Sequence, residues 1–512
     1  EGTVAEGAGT RWHRTDTVAA VLVLLLTVAH VLLALHFPLA PDETYYWEWS
    51  RQLDWGYYDQ GPLIAWLIRA STEALGHTEL GVRAGVIVCA AATLWLVYRT
   101  GTMLFGRKAG LLSMLSAGIT PMGLAGGFVA TYDVPLVLFW TWSLYCLARA
   151  LTASDVRASN RWWTMVGVAA GLGLLSKVTM ALLLPCTLLF MATRLEMRRW
   201  LRQPAAYVAI LLALLVYSPN LVWQGQHDWI TFAHVLGLTE KGHSGSALKH
   251  FGEFVGSQVG LMTPFLAAGM VAALWQSRKG WNRPNGWKHW YLFCISAPVL
   301  ILFTVLSLKT KVQANWAVCG WIGAGVAYGA WVQEGGRGRR QYATVALALA
   351  GLVSLLAGWP ELRIAVGLRL PARLDQTRKM YGGRELAAAC VPEMRKLTQG
   401  GEPPVAGAAT YDVASRLAFY LPGQPHTHCF FLGTRDNQYR YLNRASGLRR
   451  GRNALVVDNR PPDDPLLPPF HTVFERVEPV PQPVVVYVRP IYREPTVTYY
   501  LYRCHGYRGP EP

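Results

Sequence analysis

The chain has 512 residues, of which 52% are hydrophobic and only 15% are charged. This composition is more apolar than that of ordinary soluble domains and excludes a purely soluble protein. The formal net charge is +17, which could suggest a nucleic-acid partner. No nucleic acid is needed to explain it, because the basic residues concentrate in short loops between apolar segments.

Long apolar segments recur along the first two thirds of the sequence. Roughly eleven of them approach the ~20 residues that cross a ~30 Å hydrocarbon core. They are residues 18–35, 81–98, 111–128, 134–151, 162–175, 178–193, 207–219, 257–275, 291–308, 316–331 and 342–358. The region 164–193 is either one long segment or a hairpin that turns at Ser176 and Lys177. The pattern predicts an α-helical polytopic membrane protein with roughly eleven transmembrane helices.

Lys and Arg lie in alternate loops, as in residues 194–202, 278–288 and 337–340. Short basic loops stay in the cytoplasm, so these loops are predicted to be cytoplasmic. An odd number of spans then places everything after about Trp359 outside. We expect a transmembrane module over residues 1–359 and an extracytoplasmic soluble domain over residues 360–512.

The C-terminal part is polar, and its pattern predicts a small α/β domain. Residues 384–397 have a helical pattern, and residues 454–457 and 484–488 are typical of strands. The Tyr-rich segment 492–507 could be an edge strand or a tail. Cys390, Cys429 and Cys504 allow one disulfide with a spare thiol, which the sequence does not assign.

Two segments outside the membrane contain aromatic or histidine side chains. Residues 37–80 are rich in Tyr and Trp, which favours interfacial helices at the headgroup level. Residues 220–254 contain His227, His234, His243 and His250. Their spacing lacks the pattern of a structural zinc site, so we expect ordinary loop histidines and no metal.

Asp42 and Glu43 follow the first apolar segment, at the predicted outer membrane surface. Carboxylates at this depth cost free energy unless they cap a helix or take part in chemistry. They could begin a helix, where acidic residues are favoured by the backbone dipole. They could equally supply a general base. The pattern alone leaves both interpretations open.

Three lysines lie near the predicted outer face: Lys177, Lys309 and Lys311. A departing phosphate needs cations directed at its oxygens, and the charge bias of membrane proteins makes such cations scarce on this face. The alternative for each lysine is a snorkelling anchor. Asp133 lies at the same predicted level.

An ordered set of short motifs resembles a known family. The motifs are residues 41–47 (PDETYYW), 56–66 (GYYDQGPLIAW), 79–83 (ELGVR), 104–106 (LFG), 131–136 (TYDVPL), 176–177 (SK) and 218–220 (SPN). In this order they resemble the GT-C glycosyltransferases of the protein O-mannosyltransferase and lipid A aminoarabinose transferase type. The resemblance covers roughly the first 320 residues. The chain departs from it at Gly61, where relatives often have a second Pro before Pro62.

The resemblance implies a GT-C fold and an inverting glycosyltransferase that uses a polyprenyl-phosphate sugar, with no metal or other cofactor. Asp42 matches the family's catalytic base, and Glu43 would hold the acceptor or orient the helix. The remaining expected site residues are Asp133, Tyr57, Tyr58 and Asp59 for the acceptor or sugar, and Arg83, Lys177, Lys309 and Lys311 for the lipid phosphate.

The expected location is the inner membrane of a bacterium, with the active site and the C-terminal domain in the periplasm and membrane lipids as partners. The acceptor is expected to be lipid A or another envelope glycolipid or glycan, with a protein as the alternative. A transporter or flippase would instead show inverted repeats and charges near the middle of the bilayer. A non-catalytic receptor would leave Asp42 replaceable.

Overall fold

The structure is a computed structural model that describes residues 13–240, 246–283, 286–369, 375–398, 401–432, 435–467, 469–487 and 495–509. His243 and residues 492–494 of the Tyr-rich segment lie outside these ranges.

The N-terminal module is built from α-helices that follow one another with short connections. They are α1 (Arg14–His36), α2 (Pro41–Arg51), α3 (Leu63–Leu75), α4 (Glu79–Phe105), α5 (Arg107–Gly118), α6 (Pro121–Gly126), α7 (Asp133–Thr152), α8 (Val156–Ser176), α9 (Leu183–Thr193), α10 (Pro204–Gln226), α11 (Ile230–Glu240), α12 (Ala247–Met262), α13 (Pro264–Ser277), α14 (Trp287–Leu306), α15 (Val318–Gln333), α16 (Arg337–Gly358) and α17 (Pro360–Ala365). Short 3₁₀ segments include Val178–Leu182, Leu195–Arg202, Arg278–Asn282 and Ala314–Ala317.

Each predicted apolar segment coincides with a helix or a pair of helices. Within the described residues, six helices are long and apolar enough to cross a membrane by themselves: α1, α4, α7, α10, α14 and α16. The apolar pair α12 and α13, bent by 100°, makes a seventh if it is one span. Others are shorter, such as α5 with 12 residues. The break predicted at Ser176 and Lys177 is present, because α8 ends at Ser176 and α9 begins at Leu183. The protein is an α-helical polytopic membrane protein.

Small residues allow the central helices to approach closely. A Cβ atom added at Gly101 in α4 would lie 2.8 Å from the Cα of Gly110 in α5. One added at Gly329 in α15 would lie 2.3 Å from the carbonyl oxygen of Ala109. Membrane helices pack in this way because burial of apolar surface does not drive their association in lipid, so close van der Waals contact matters more.

The C-terminal domain contains a mixed sheet covered by helices. Its strands are β1 (Val405–Ala408), β2 (His428–Cys429), β3 (Ala454–Asp458), β4 (Phe474–Pro479), β5 (Val484–Val486) and β6 (Val497–Tyr507), and its helices are α18 (Gly383–Leu397), α19 (Tyr411–Tyr420), α20 (Tyr439–Leu442) and α21 (Phe470–Val473). The strand order is β2-β1-β3-β6-β4, with β5 also paired to β6. β1 is parallel to β2 and β3, whereas β6 is antiparallel to β3, β4 and β5.

Two expectations about this domain are refined. The Tyr-rich segment forms β6, which is neither an edge strand nor a tail, because β3 and β4 pair with its two sides. Cys390, Cys429 and Cys504 are all buried and form no disulfide.

The C-terminal domain packs directly on α2. The hydroxyls of Thr44 and Ser415 are 2.9 Å apart. The Leu39 amide donates to the Tyr420 hydroxyl at 2.8 Å. The C-terminal domain and α2 therefore lie at the same end of the helical module.

The aromatic residues of α2 do not lie in a lipid interface as expected. Tyr45, Trp47 and Trp49 are at most 3% exposed. Trp47 packs edge-on against Phe419 of the C-terminal domain, with ring centroids 5.0 Å apart. The sequence pattern of an interfacial helix is thus produced by a helix enclosed between the membrane module and the soluble domain.

Candidate active site

Glu43 is a buried structural carboxylate at the start of α2. Its Oε2 atom accepts a hydrogen bond from the Ala40 amide at 2.8 Å, and its Oε1 atom accepts one from the Ala130 amide at 2.9 Å. Arg83 donates to both oxygens, at 2.8 Å from Nε and 2.6 Å from Nη2. These bonds tie α2 to α4 and to the segment before α7. Of its two expected roles, the geometry therefore favours orienting the helix.

Arg83 does not have the partners expected of a phosphate-binding residue. Beyond Glu43, its guanidinium donates to the carbonyl oxygens of Ala34, Phe37 and Pro38, at 2.9, 2.6 and 2.9 Å. The side chain is fully buried, and these contacts use its five N–H donors. We therefore correct its expected role: Arg83 fixes the connection between α1 and α2 and has no donor left for a lipid phosphate.

Asp42, next to Glu43, faces a different environment. It is exposed to solvent, and Asp412, Lys379 and Tyr411 of the C-terminal domain lie near it. Burial by protein atoms and the nearby charges of Asp412 and Glu43 raise the pKa of its carboxyl, while Lys379 and a hydrogen bond from Tyr411 oppose the rise. A carboxylate with a raised pKa accepts a proton more readily near neutral pH, which suits a general base.

Asp133 and Lys177 form a buried ion pair. The Lys177 Nζ atom is 2.8 Å from Asp133 Oδ1, and the two side chains are 5% and 10% exposed. Asn315 donates from Nδ2 to the other carboxylate oxygen at 2.5 Å. Lys177 also lies 4.9 Å from the centre of the Tyr132 ring. One polar cluster is thus formed by Asp133 in α7, Lys177 at the end of α8 and Asn315 before α15.

Lys309 and Lys311 lie in the loop between α14 and α15. Both are exposed, and neither forms an ion pair within the described part of the chain. This loop leads into Asn315, which donates to Asp133. The two exposed lysines are therefore close in sequence to one member of the Asp133 cluster. Sequence reasoning missed Asn315, although an amide between these lysines and an apolar segment was a usable signal.

Tyr132 joins this polar cluster to α2. Its ring centroid is 5.5 Å from that of Tyr46. The charge of Asp42 also contributes to the raised pKa of Tyr46. The rings of Tyr46 and Tyr132 therefore connect the surroundings of Asp42 with those of Lys177.

An apolar cavity of about 390 Å³ ends at this cluster. Its walls come from α1, α4, α6, α7, α12 and α15, and they are mostly hydrophobic. Asp133, Asn315 and Gln313 are among its few polar lining residues. Such a cavity fits an apolar chain that carries a polar head.

The other expected acceptor residues divide into two groups. Asp59 accepts a hydrogen bond from the Tyr45 hydroxyl at 2.6 Å and lies 3.4 Å from both His234 and Arg435. Burial raises the pKa of Asp59 to about 6. Tyr58 is half-buried, with its ring against His234. Both remain candidates for acceptor contact.

Tyr57 is a packing residue and not the sugar-binding residue that we expected. It is fully buried, its ring stacks on Trp49 with centroids 4.6 Å apart, and its hydroxyl donates to the Gln52 carbonyl at 3.0 Å. The ring and the hydroxyl of Tyr57 are therefore not accessible to a sugar.

The C-terminal domain supplies site residues that sequence reasoning missed. Tyr411 and Asp412 approach Asp42 from α19, and Arg435 approaches Asp59. The Gln438 amide donates to the Tyr45 hydroxyl at 2.7 Å. No local signal marks them, because they are more than 300 positions away from α2.

No three His, Cys, Asp or Glu side chains come together as a metal site in the residues that the structure describes. The expected lack of a catalytic metal remains a prediction.

Comparison with known proteins places this geometry in context. Residues 59–223 match the family described as dolichyl-phosphate-mannose-protein mannosyltransferase. The chain is 29% identical over 351 residues to the lipid A galacturonosyltransferase RgtD of Rhizobium johnstonii, covering 67% of this chain and 70% of that protein. It is 31% identical over 224 residues to the undecaprenyl phosphate-alpha-4-amino-4-deoxy-L-arabinose arabinosyl transferase of Pseudomonas paraeruginosa, covering 40% of each.

The fold is similar to that of ArnT from Cupriavidus metallidurans. The apo structure has a TM-score of 0.65 at 16% identity, covering 95% of this chain and 98% of ArnT. The structure of the same protein bound to undecaprenyl phosphate has a TM-score of 0.64, covering 98% and 100%. The helical module with its docked C-terminal domain thus has the GT-C fold of ArnT, and the chain is similar to glycosyltransferases of the protein O-mannosyltransferase and lipid A aminoarabinose transferase type.

Proposed function

We propose that the protein transfers a sugar from a polyprenyl-phosphate carrier to lipid A on the periplasmic face of a bacterial inner membrane. The observation that supports this most strongly is the apolar cavity whose polar end is lined by Asp133 and Asn315, where Asp133 pairs with Lys177. The rings of Tyr132 and Tyr46 connect that end to α2, which carries Asp42.

The donor's polyprenyl chain occupies the cavity, and its phosphate lies at the polar end. Lys177 is partly neutralised by Asp133, so the exposed Lys309 and Lys311 supply the remaining positive charge. Cations at this point stabilise the charge that develops on the leaving phosphate. The solved ArnT structure with undecaprenyl phosphate supports a donor of this class.

The chemistry is a single displacement with Asp42 as the base. Its carboxylate takes the proton from an acceptor hydroxyl as that oxygen bonds to the anomeric carbon. The bond from this carbon to the phosphate oxygen breaks, and the phosphate leaves with the electron pair. One displacement inverts the anomeric centre. No metal or cofactor takes part in this scheme, because the lysines neutralise the leaving group.

Lipid A is favoured as the acceptor because the RgtD relative, aligned over 70% of its length, is named for it. A protein acceptor is the second candidate, since the matched family description names protein mannosylation. The basic loops support the periplasmic placement of the site, because they lie at the opposite ends of the membrane helices.

The test is a transfer assay with the purified full chain and a panel of undecaprenyl-phosphate sugars. Lipid A and an unstructured Ser/Thr peptide serve as acceptors, and mass spectrometry identifies the product. The proposal predicts lipid A with one added sugar mass, and none with the Asp42→Asn variant. A product on the peptide alone would contradict it in favour of the second candidate.

A further inference from the structure

A second cavity lies outside the active site just described. It has a volume of about 510 Å³ and lies between the first outer segment, the end of α10 and the C-terminal domain. Gln52, Asp54, Trp223, His227, Tyr441 and Arg444 are among its lining residues. None of them has a role in the chemistry proposed above.

Two side chains of the pocket lining have a polar group without a hydrogen-bond partner in the described part of the chain. Trp223 is 4% exposed, and its Nε1 donor has no hydrogen-bond partner. A buried donor without a partner is unfavourable, and in native proteins such a group is explained by a water, an ion, strain or a functional role. Within the described residues, no hydrogen bond of the Tyr441 hydroxyl is found either.

The aromatic residues hold a histidine acceptor towards the pocket. His227 stacks on Trp223 with ring centroids 4.0 Å apart and an interplanar angle of 11°, and the Tyr441 ring is 5.4 Å away. His227 Nδ1 lies 2.8 Å from the Trp223 carbonyl oxygen, which can only accept. Nδ1 therefore carries the proton, and Nε2 of the neutral ring is an acceptor.

Two side chains of the pocket lining carry a charge, Asp54 and Arg444. Arg444 is exposed and forms no ion pair in the described part of the chain, whereas the neighbouring Arg440 pairs with Asp436 at 3.3 Å. The pocket thus combines aromatic edges, donors and acceptors with a free guanidinium. The hydroxyl groups of a ligand can form hydrogen bonds with these donors and acceptors, and an anionic group can pair with Arg444.

We propose that this pocket binds a phosphorylated saccharide, the headgroup of the lipid acceptor. A polyprenyl chain does not suit its polar lining, and the apolar cavity already fits that chain. Gln438 connects the pocket to the catalytic side, because it also lines the pocket while its amide donates to Tyr45. The assignment of the saccharide to the acceptor rests on the proposed function.

The experiment measures binding to the full chain in detergent by isothermal titration calorimetry. The probes are a phosphorylated glucosamine disaccharide, the same disaccharide without phosphate, and undecaprenyl phosphate. The variants are Arg444→Gln and Tyr441→Phe, with Arg440→Gln as the matched control. Melting temperatures show that each variant folds.

Arg444→Gln should weaken binding of the phosphorylated disaccharide about tenfold and leave the unphosphorylated one unchanged, since a charge-assisted hydrogen bond is lost. Tyr441→Phe should weaken both, and the control neither. Undecaprenyl phosphate should bind equally to all. The proposal is overturned if the wild type binds neither disaccharide, if Arg444→Gln matches the control, or if the variants lose undecaprenyl phosphate instead. If the protein binds the saccharide but transfers no sugar to lipid A, the proposed function is refuted, whereas the proposal that the pocket binds a phosphorylated saccharide still holds.

Discussion

Adjacent carboxylates at the start of α2 have different environments, and this separates their roles. Glu43 accepts hydrogen bonds from two backbone amides and from Arg83, all within 3.0 Å. Its charge is therefore satisfied by protein groups. Asp42 is solvent-accessible and is held beside Asp412, so it keeps a site for an incoming proton. The sequence supplied both candidates, and only the three-dimensional partners distinguish them.

Arg83 should contribute mainly to stability. Arg83→Gln leaves the Glu43 carboxylate buried with half of its partners, and breaking such a pair costs about 3–5 kcal/mol of unfolding free energy. The control is Arg69→Gln, which removes an exposed pair with Glu73 worth about 0–1 kcal/mol. Thermal unfolding in detergent compares the two. Equal shifts would contradict the structural role of Arg83.

The three lysines should separate by burial. Lys309→Ala and Lys311→Ala should weaken donor affinity without lowering the melting temperature, because both side chains are exposed. Lys177→Ala should lower both, since Asp133 would keep only Asn315 as a partner. Lys108→Ala, an exposed lysine in the first turn of α5, is the control. Unchanged donor affinity in all three variants would remove the phosphate role.

At the scale of elements, α2 and α19 form the contact that completes the site. Hydrophobic periodicity predicted the membrane helices and α18, because those patterns are local. It also indicated helices within residues 37–80, but it misplaced their aromatic residues in the lipid interface. The partner of α2 is α19, whose residues are remote in sequence, and periodicity carries no information about such pairing.

The contact between α2 and α19 should raise the pKa of Asp42, the proposed base. Asp412 on α19 helps burial to raise the pKa of Asp42. Asp42 must be ionised to act, so a raised pKa moves the acidic limb of the activity profile to higher pH. Asp412→Asn removes one negative neighbour and should move that limb of kcat/KM to lower pH. Asp436→Asn, which changes a pair with Arg440, is the control. An unmoved limb in Asp412→Asn would contradict the tuning.

At the scale of the whole molecule, composition predicted the helical membrane module and the polar C-terminal part, and motif order predicted the GT-C fold. The relation between the two parts was not predictable. The ion pair of Arg384 with Glu79 and the 2.7 Å bond between Gln438 and Tyr45 join them. Each requires both folds to exist first, so no single segment encodes it. The C-terminal domain is therefore part of the wall of the proposed active site.

The orientation can be tested directly. The basic residues 337–340 begin α16, so this helix should lead from the cytoplasm to the periplasm, where the C-terminal domain follows. A reporter that is active only outside the cytoplasm should be active when fused after residue 512. Fusion at residue 335, before α16, is the matched control and should be inactive. Activity of a cytoplasmic reporter after residue 512 would contradict the placement.

The central claim is that Asp42 is the general base. Asp42→Asn keeps the size of the side chain and its ability to begin a helix, but it cannot take a proton. Product formation at saturating donor should fall by about 10² or more, with an unchanged melting temperature. Near-normal turnover in a stable Asp42→Asn protein would contradict the account.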